Sequence, residues 1–165
     1  MPIGGIHTSN KSEYHKLEKL LEDLLTPADL ILLVLSVAPV KGNTRMQKQV
    51  FIAYKELFED KAVDPVYYPW KYGAYSKVVE DTVKLLTKQG YIKVFGRRGE
   101  GTIYSITKKG QDRINLKIDK LRLNLSELAS RKARWDEWTP IGTLRYVYRV
   151  YPEYTTKTKV PRILW

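Results

Sequence analysis

The chain has 165 residues, enough for one domain with an extension or two small units, and its 43% apolar content suffices to bury a core at that length. There is no cysteine, which excludes disulfides, thiolate metal sites and cysteine nucleophiles and makes a reducing cytosol the expected compartment. The net charge is +11, and all of the excess lies late: residues 1–70 carry 8 Lys/Arg against 9 Asp/Glu, whereas residues 71–165 carry 21 against 9.

Residues 1–11 read as a flexible N-terminal tail. They lack a basic region followed by an apolar run, so no secretory signal is expected. Ser12 is placed to cap a helix to Leu25, with Leu17, Leu20, Leu21, Leu24 and Leu25 on one face. Thr26-Pro27-Ala28-Asp29 is a sharp start signal for the next helix. That helix, to about Val37, is apolar on nearly every side and is the expected buried centre. The apolar stretch from Leu30 to Val40 is interrupted by Ser36 and Pro39 and falls short of the ~20 residues a membrane span needs.

Ala38 to Gly42 breaks that helix, and Asn43 or Thr44 caps a third to about Phe58, striped by Met46, Val50, Ala53, Tyr54 and Leu57. Residues 61–75 hold two prolines, a glycine and a dense aromatic cluster, and read as an ordered connection. Ser76 caps a fourth helix that Gly90 ends, with Val79, Val83 and Leu86 on one face and Lys77, Asp81, Lys84 and Lys88 on the other. Residues 91–95 and 102–106 flank the glycine-rich turn 96–101 as a hairpin. A long helix is expected over 107–134, and Pro140 starts a last one to Val150.

The predicted fold class is mostly α with a small β-hairpin wing, a winged helix-turn-helix with a long C-terminal helix. Its expected divisions are a tail (1–11), a winged-helix domain (12–106), a helical extension (107–155) and a C-terminal tail (156–165). In such a fold one helix lies in the major groove and the hairpin reaches phosphates beside it. The candidate DNA-binding residues are Ser76, Lys77, Lys84, Lys88, Arg97, Arg98, Lys108 and Lys109, with the two arginines at the hairpin tip. Glu80 and Asp81 oppose phosphate contact, but acids in a first helical turn also suit the helix dipole. The charge asymmetry calls for a polyanionic partner, and double-stranded DNA is the expected one. The alternative for the charge is a solvated surface in a thermophile.

Three segments, Arg45-Met46-Gln47-Lys48-Gln49-Val50-Phe51, then Trp70-Lys71-Tyr72-Gly73-Ala74-Tyr75-Ser76, then Leu85 through Gly90-Tyr91-Ile92, resemble a group of prokaryotic winged-helix proteins. The group includes uncharacterised archaeal proteins, the YwgA-like proteins and the SocA-type antitoxin (Panacea) domain. Tyr146-Val147-Tyr148 and Tyr151 to Thr155 are similar to the end of its archaeal members, so the likeness spans about residues 28–155. Ala74 stands where the pattern usually has proline. The resemblance implies a winged-helix fold and a regulatory role through DNA or a protein partner, and it brings no catalytic residues. The third and fourth helices are separated by about 15 residues, where a simple helix-turn-helix has about 3–4.

Ile114, Ile118, Leu121, Leu125 and Leu128 repeat at spacings of 4, 3, 4 and 3, a heptad seam that reads either as a homodimer interface or as packing back onto the domain. Lys117, Lys120, Arg131, Lys132 and Arg134 read as a phosphate-contacting extension or a solvated face. Tyr67, Tyr68, Trp70, Tyr72 and Tyr75 read as packing under a loop, with base stacking the alternative. Ile163, Leu164 and Trp165 either dock a protein partner or fold back. His7 and His15 lack any catalytic or metal-binding spacing, so no enzyme, metal or cofactor is expected. The expected function is a regulator or chromatin-associated factor of a thermophilic archaeon, cytoplasmic and nucleoid-associated. The alternative is an antitoxin-like adaptor that binds a protein rather than DNA.

Overall fold

The computed structural model describes residues 6–96 and 101–165, and of residues 6–9 the backbone alone. Among these it is mostly helical, with a small three-stranded antiparallel sheet and a separate two-stranded hairpin. The elements are α1 (Ile6–Glu22), α2 (Pro27–Val37), β1 (Val40–Lys41), α3 (Asn43–Ala53), β2 (Tyr68–Trp70), β3 (Gly73–Tyr75), α4 (Lys77–Lys88), β4 (Ile92–Phe95), β5 (Ile103–Ile106), α5 (Lys108–Leu121), α6 (Ser126–Glu137) and α7 (Pro140–Val150).

The capping box that starts α2 is present. The Thr26 hydroxyl accepts from Asp29 N–H, and the Asp29 carboxylate accepts from Thr26 N–H at 2.9 Å. Every residue from Leu30 to Leu35 is buried, so α2 is the axis around which the other elements pack. Val40 in β1 points inward opposite Tyr104, and Lys41 points outward opposite Ile103. β5 pairs on its other side with β4, Val94 facing Tyr104 and Phe95 facing Ile103. The sheet order is therefore β1-β5-β4.

The long connection between α3 and α4 is tied down by polar side chains of α3. Gln47 makes two hydrogen bonds with the Ser76 backbone, donating to its carbonyl at 3.0 Å and accepting from its N–H at 2.9 Å. Ser76 is buried; its hydroxyl donates to the Pro65 carbonyl and accepts from Val79 N–H, capping α4. Lys48 donates to the Ala74 carbonyl at 2.8 Å, and the Tyr67 hydroxyl to the Gln47 carbonyl at 2.8 Å. Within the ordered connection expected over 61–75, residues 68–75 form the hairpin β2–β3.

After Ala53 the helix widens into a π-turn, Tyr54–Phe58, and then tightens over Glu59–Lys61. The wide turn directs Glu56 at the C-terminal helices. Its carboxylate accepts from Arg131 at 2.5 Å, from the Tyr146 hydroxyl at 2.8 Å and from the Tyr151 hydroxyl at 2.9 Å.

Three expectations are corrected. α1 starts at Ile6, inside the expected tail, and ends at Glu22. Of its leucine face Leu17, Leu20 and Leu21 are exposed, and Leu25 beyond its end, hydrogen-bonded to Lys61 and Val63, reaches the core. The single helix over 107–134 is two helices, because Arg122 adopts the left-handed conformation (φ 51°) and Leu123 N–H returns to the Ile118 carbonyl at 3.0 Å. The division at residue 106 does not separate cores: Ile114, Leu128, Trp135 and Val147 share one with Leu30 to Leu35.

Gly73 sits at φ 92°, and a Cβ there would collide with the ring of the buried Tyr148. Gly73→Ala therefore adds backbone strain to a clash with a ring that has nowhere to go, and should lower unfolding stability by about 2–3 kcal/mol in urea titration. Burial also holds the Lys48 amine down, to about 7. A lysine whose folded pKa lies below its unfolded value binds fewer protons in the folded state, so its contribution makes stability rise with pH from about 7 to the unfolded value of 10.5. Comparison with Lys48→Met isolates that slope, at most ~1.4 kcal/mol per pH unit, and the variant should lack it.

Candidate nucleic-acid interface

α4 buries Val79, Val83 and Leu86 against the body of the protein and packs on α2 and β4. Its outward face carries Lys77, Val78, Asp81, Lys84, Leu85 and Lys88. Much of that positive charge is neutralised within the helix. Lys77 pairs with Asp81 at 2.9 Å and with Glu80 at 3.4 Å, and Lys84 lies 3.8 Å from Glu80. Glu80 also accepts from the Tyr75 hydroxyl, the main reason its carboxyl is held below the usual range. Hydrogen bonds to Asp81 and Glu80 raise the Lys77 amine. Val78 and Leu85 are 41% and 51% exposed, so the same face is partly apolar.

Charge gathers instead at the C-terminal end of α4. Lys109 donates to the Gln89 carbonyl at 2.7 Å and lies 4.4 Å from the centre of the Tyr91 ring; Arg113 lies 4.8 Å from the same ring. The Thr107 hydroxyl caps α5 and donates to the Gly90 carbonyl at 2.7 Å, fixing the start of α5 against the end of α4. No ion pair among the described residues involves Lys88, Lys93, Lys109 or Arg113. Arg113 was absent from the predicted set. Its spacing of four from Lys109 on one helix, with Tyr91 just before the hairpin, is the sequence signal that marks it.

The predicted DNA-binding residues thus divide. Ser76 is interior and is corrected to a structural cap. Lys77 and Lys84 are on the surface but paired, and Lys108 is bound to Asp112 at 2.8 Å. Lys88 and Lys109 lie at one end of α4. Arg97 and Arg98 lie outside the described residues.

The basic extension is also largely occupied. Lys117 reaches Asp29 at 3.4 Å, Lys120 reaches Glu22 at 3.2 Å, and Arg131 binds Glu56 and Glu127. Lys132 is fully buried on Asp136, Gln49 and the Pro39 carbonyl, so it is corrected to a buried ion pair; of the five, Arg134 alone is exposed with no ion pair among the described residues. The heptad seam packs back onto the domain, one of its two expected readings. Ile114 and Leu128 are buried in the chain's own core, Ile118, Leu121 and Leu125 pack against it, and the helix break at Arg122 destroys the repeat. At the C-terminus Trp165 folds back rather than projecting. Its ring meets Tyr148 at 5.0 Å and its Nε1 donates to the Val160 carbonyl, while Arg145 donates to the Leu164 carbonyl at 2.7 Å. Ile163, 89% exposed, and Leu164 face outward. The aromatic connection is divided too: Tyr67 packs tilted against Phe51 with ring centres 4.9 Å apart, whereas Trp70 and Tyr72 are exposed.

Among the described residues no helix is long and apolar enough to cross a membrane, and no group of three His, Cys, Asp or Glu could hold a metal ion. No protein-family model matches the chain and no curated protein is similar to it, so the resemblance noted above rests on short motifs alone.

Ile114 tests where the seam belongs. Ile114→Ala opens a cavity in the core and should cost about 2–4 kcal/mol in chemical unfolding, with a midpoint independent of protein concentration. A midpoint that moves with concentration in the native chain and not in the variant would restore the seam to a dimer interface.

Proposed function

We propose that this chain is a winged-helix protein that binds duplex DNA through α4 and the β4–β5 hairpin, acting as a regulator or chromatin-associated factor. One observation carries the proposal: the order α2, β1, α3, α4, β4, β5, with β1 joining the hairpin as its third strand and α4 packed beside β4. That arrangement presents a helix next to a two-stranded hairpin, the geometry that enters a major groove while the hairpin reaches the backbone. The Gln47–Ser76 hydrogen bonds hold α3 and α4 in fixed relation across the long connection.

Charge supports the same surface. Lys88, Lys109 and Arg113 cluster at the end of α4, Lys93 projects from β4, and the sequence places Arg97 and Arg98 between β4 and β5. Phosphate contact by these groups accounts for a positive excess concentrated after residue 70. The motif resemblance points to the same class of protein.

A second reading has its own observation. The outward face of α4 exposes Val78 and Leu85, and the cross-strand pair Phe95 and Ile103 is exposed on the sheet. An apolar face with internally neutralised lysines suits a protein partner, as in an antitoxin-like adaptor.

Duplex affinity measured against salt separates the two. Binding with a log–log slope of roughly −4 to −7 is expected. Replacing Lys88, Lys109 and Arg113 by Ala should flatten that slope by about 1 per lost phosphate contact, and Lys77→Ala should change it little. Absence of binding at low salt would remove the DNA reading in favour of the adaptor.

A further inference from the structure

The β2–β3 hairpin lies over the N-terminal half of α3 and borders an open cavity of about 250 Å³. Its walls include Asn43, Thr44, Lys48, Trp70, Lys71, Tyr72 and Tyr75. Three independent features of this cavity point to a ligand.

The first is an unneutralised ammonium. Lys48 is 2% exposed, yet its amine has a single acceptor, the neutral Ala74 carbonyl, and no carboxylate pairs with it among the described residues. The other buried lysine, Lys132, is matched by both oxygens of Asp136 at 2.9 Å. A buried cation without a counter-ion is costly, and desolvation accordingly depresses the Lys48 amine. The second is the open start of α3. Its cap residue, Gly42, has no side chain, so the first-turn N–H groups, including those of Asn43 and Thr44, have no side-chain acceptor where the helix dipole is positive. The third is the aromatic wall. Trp70 and Tyr72 are exposed, and the Tyr75 hydroxyl is committed to Glu80, so these residues offer ring surface to the cavity.

We propose that this cavity binds a small aromatic carboxylate, its carboxylate held by the Lys48 amine and the first turn of α3 and its ring laid against Trp70 and Tyr72. The buried positive charge of Lys48 matches one carboxylate, and the second cation on the wall, Lys71, lies over the Trp70 ring at 5.7 Å from its centre. An inorganic anion would leave the aromatic wall without a role. The volume lies below the ~300 Å³ at which pockets begin to hold drug-sized molecules, which limits the ligand to one or two rings. The proposal does not depend on DNA binding, although an occupant would touch Gln47 and Lys48, the side chains that position Ser76 and hence α4.

Isothermal titration of the full chain with benzoate, naphthoate, benzamide and inorganic phosphate tests it. The two carboxylates should bind, with benzamide at least about tenfold weaker, a difference of ~1.4 kcal/mol. Lys48→Met should reduce benzoate affinity by about tenfold or more. Trp70→Ala and Tyr72→Ala, both at exposed positions, should weaken binding while leaving the unfolding midpoint in place. Equal binding of benzamide and benzoate, undiminished binding by Lys48→Met, phosphate binding tighter than benzoate, or no heat with any probe would each overturn the proposal.

Discussion

The relation between α3 and α4 depends on one side chain, Gln47, whose amide completes both hydrogen bonds of the Ser76 backbone. Both residues are buried; the Ser76 carbonyl also accepts from Glu80 N–H, but losing Gln47 as acceptor for the Ser76 N–H would cost about 1–3 kcal/mol. The consequence spreads outward. Ser76 caps α4 and anchors Pro65, and Lys48, one residue from Gln47, holds Ala74. A connection too long to act as a helix-turn-helix turn is thereby made rigid by polar contacts from the helix before it. Gln47 and Lys48 are polar residues on the inner side of α3 and look misplaced until the hairpin they hold is seen.

The elements that were legible carry their signals locally. Thr26, Pro27 and Asp29 announce α2, Thr139 and Pro140 announce α7, and alternation marks the strands on either side of the glycine-rich turn. The break at Arg122 was not legible. Leu121-Arg122-Leu123-Asn124 has neither glycine nor proline; Ile114 and Leu128 on either side of the break lie in one core, and the Asn124 side chain accepts from Ser126 N–H at 3.0 Å. The leucine face of α1 misled in the opposite sense, because periodicity reports amphipathicity without saying whether an element lies opposite. The candidate interface was half legible. The pairing of Lys77 with Asp81 follows from a spacing of four, but the burial of Lys132 required knowing that α6 packs on α2.

Charge counting overstates what the surface offers. Part of the excess after residue 70 is spent on acids of the first half: Lys117 on Asp29, Lys120 on Glu22, Arg131 on Glu56. These pairs bind the C-terminal helices to the N-terminal ones, so the asymmetry that looks like a signature of an external polyanion is partly an internal seam. Among the described residues the exposed cations outside ion pairs include Lys88 and Lys109 at the end of α4 and Lys93 on β4, but also Arg134, Arg149, Lys157, Lys159 and Arg162 on the C-terminal helices and tail, so the surface field is not confined to α4.

The π-turn at Tyr54–Phe58 accommodates one residue more than an α-helical turn, and this bears on how the chain tolerates a change of length. Removing a residue there would let the backbone ladder close as an ordinary α-helix at little local cost. It would also change which residue the turn presents to the C-terminal helices, taking the Glu56 carboxylate away from Arg131, Tyr146 and Tyr151. Related chains lacking that residue would need to have rebuilt the whole contact between α3 and the C-terminal helices, so the extra residue and its three donors should be inherited together or lost together.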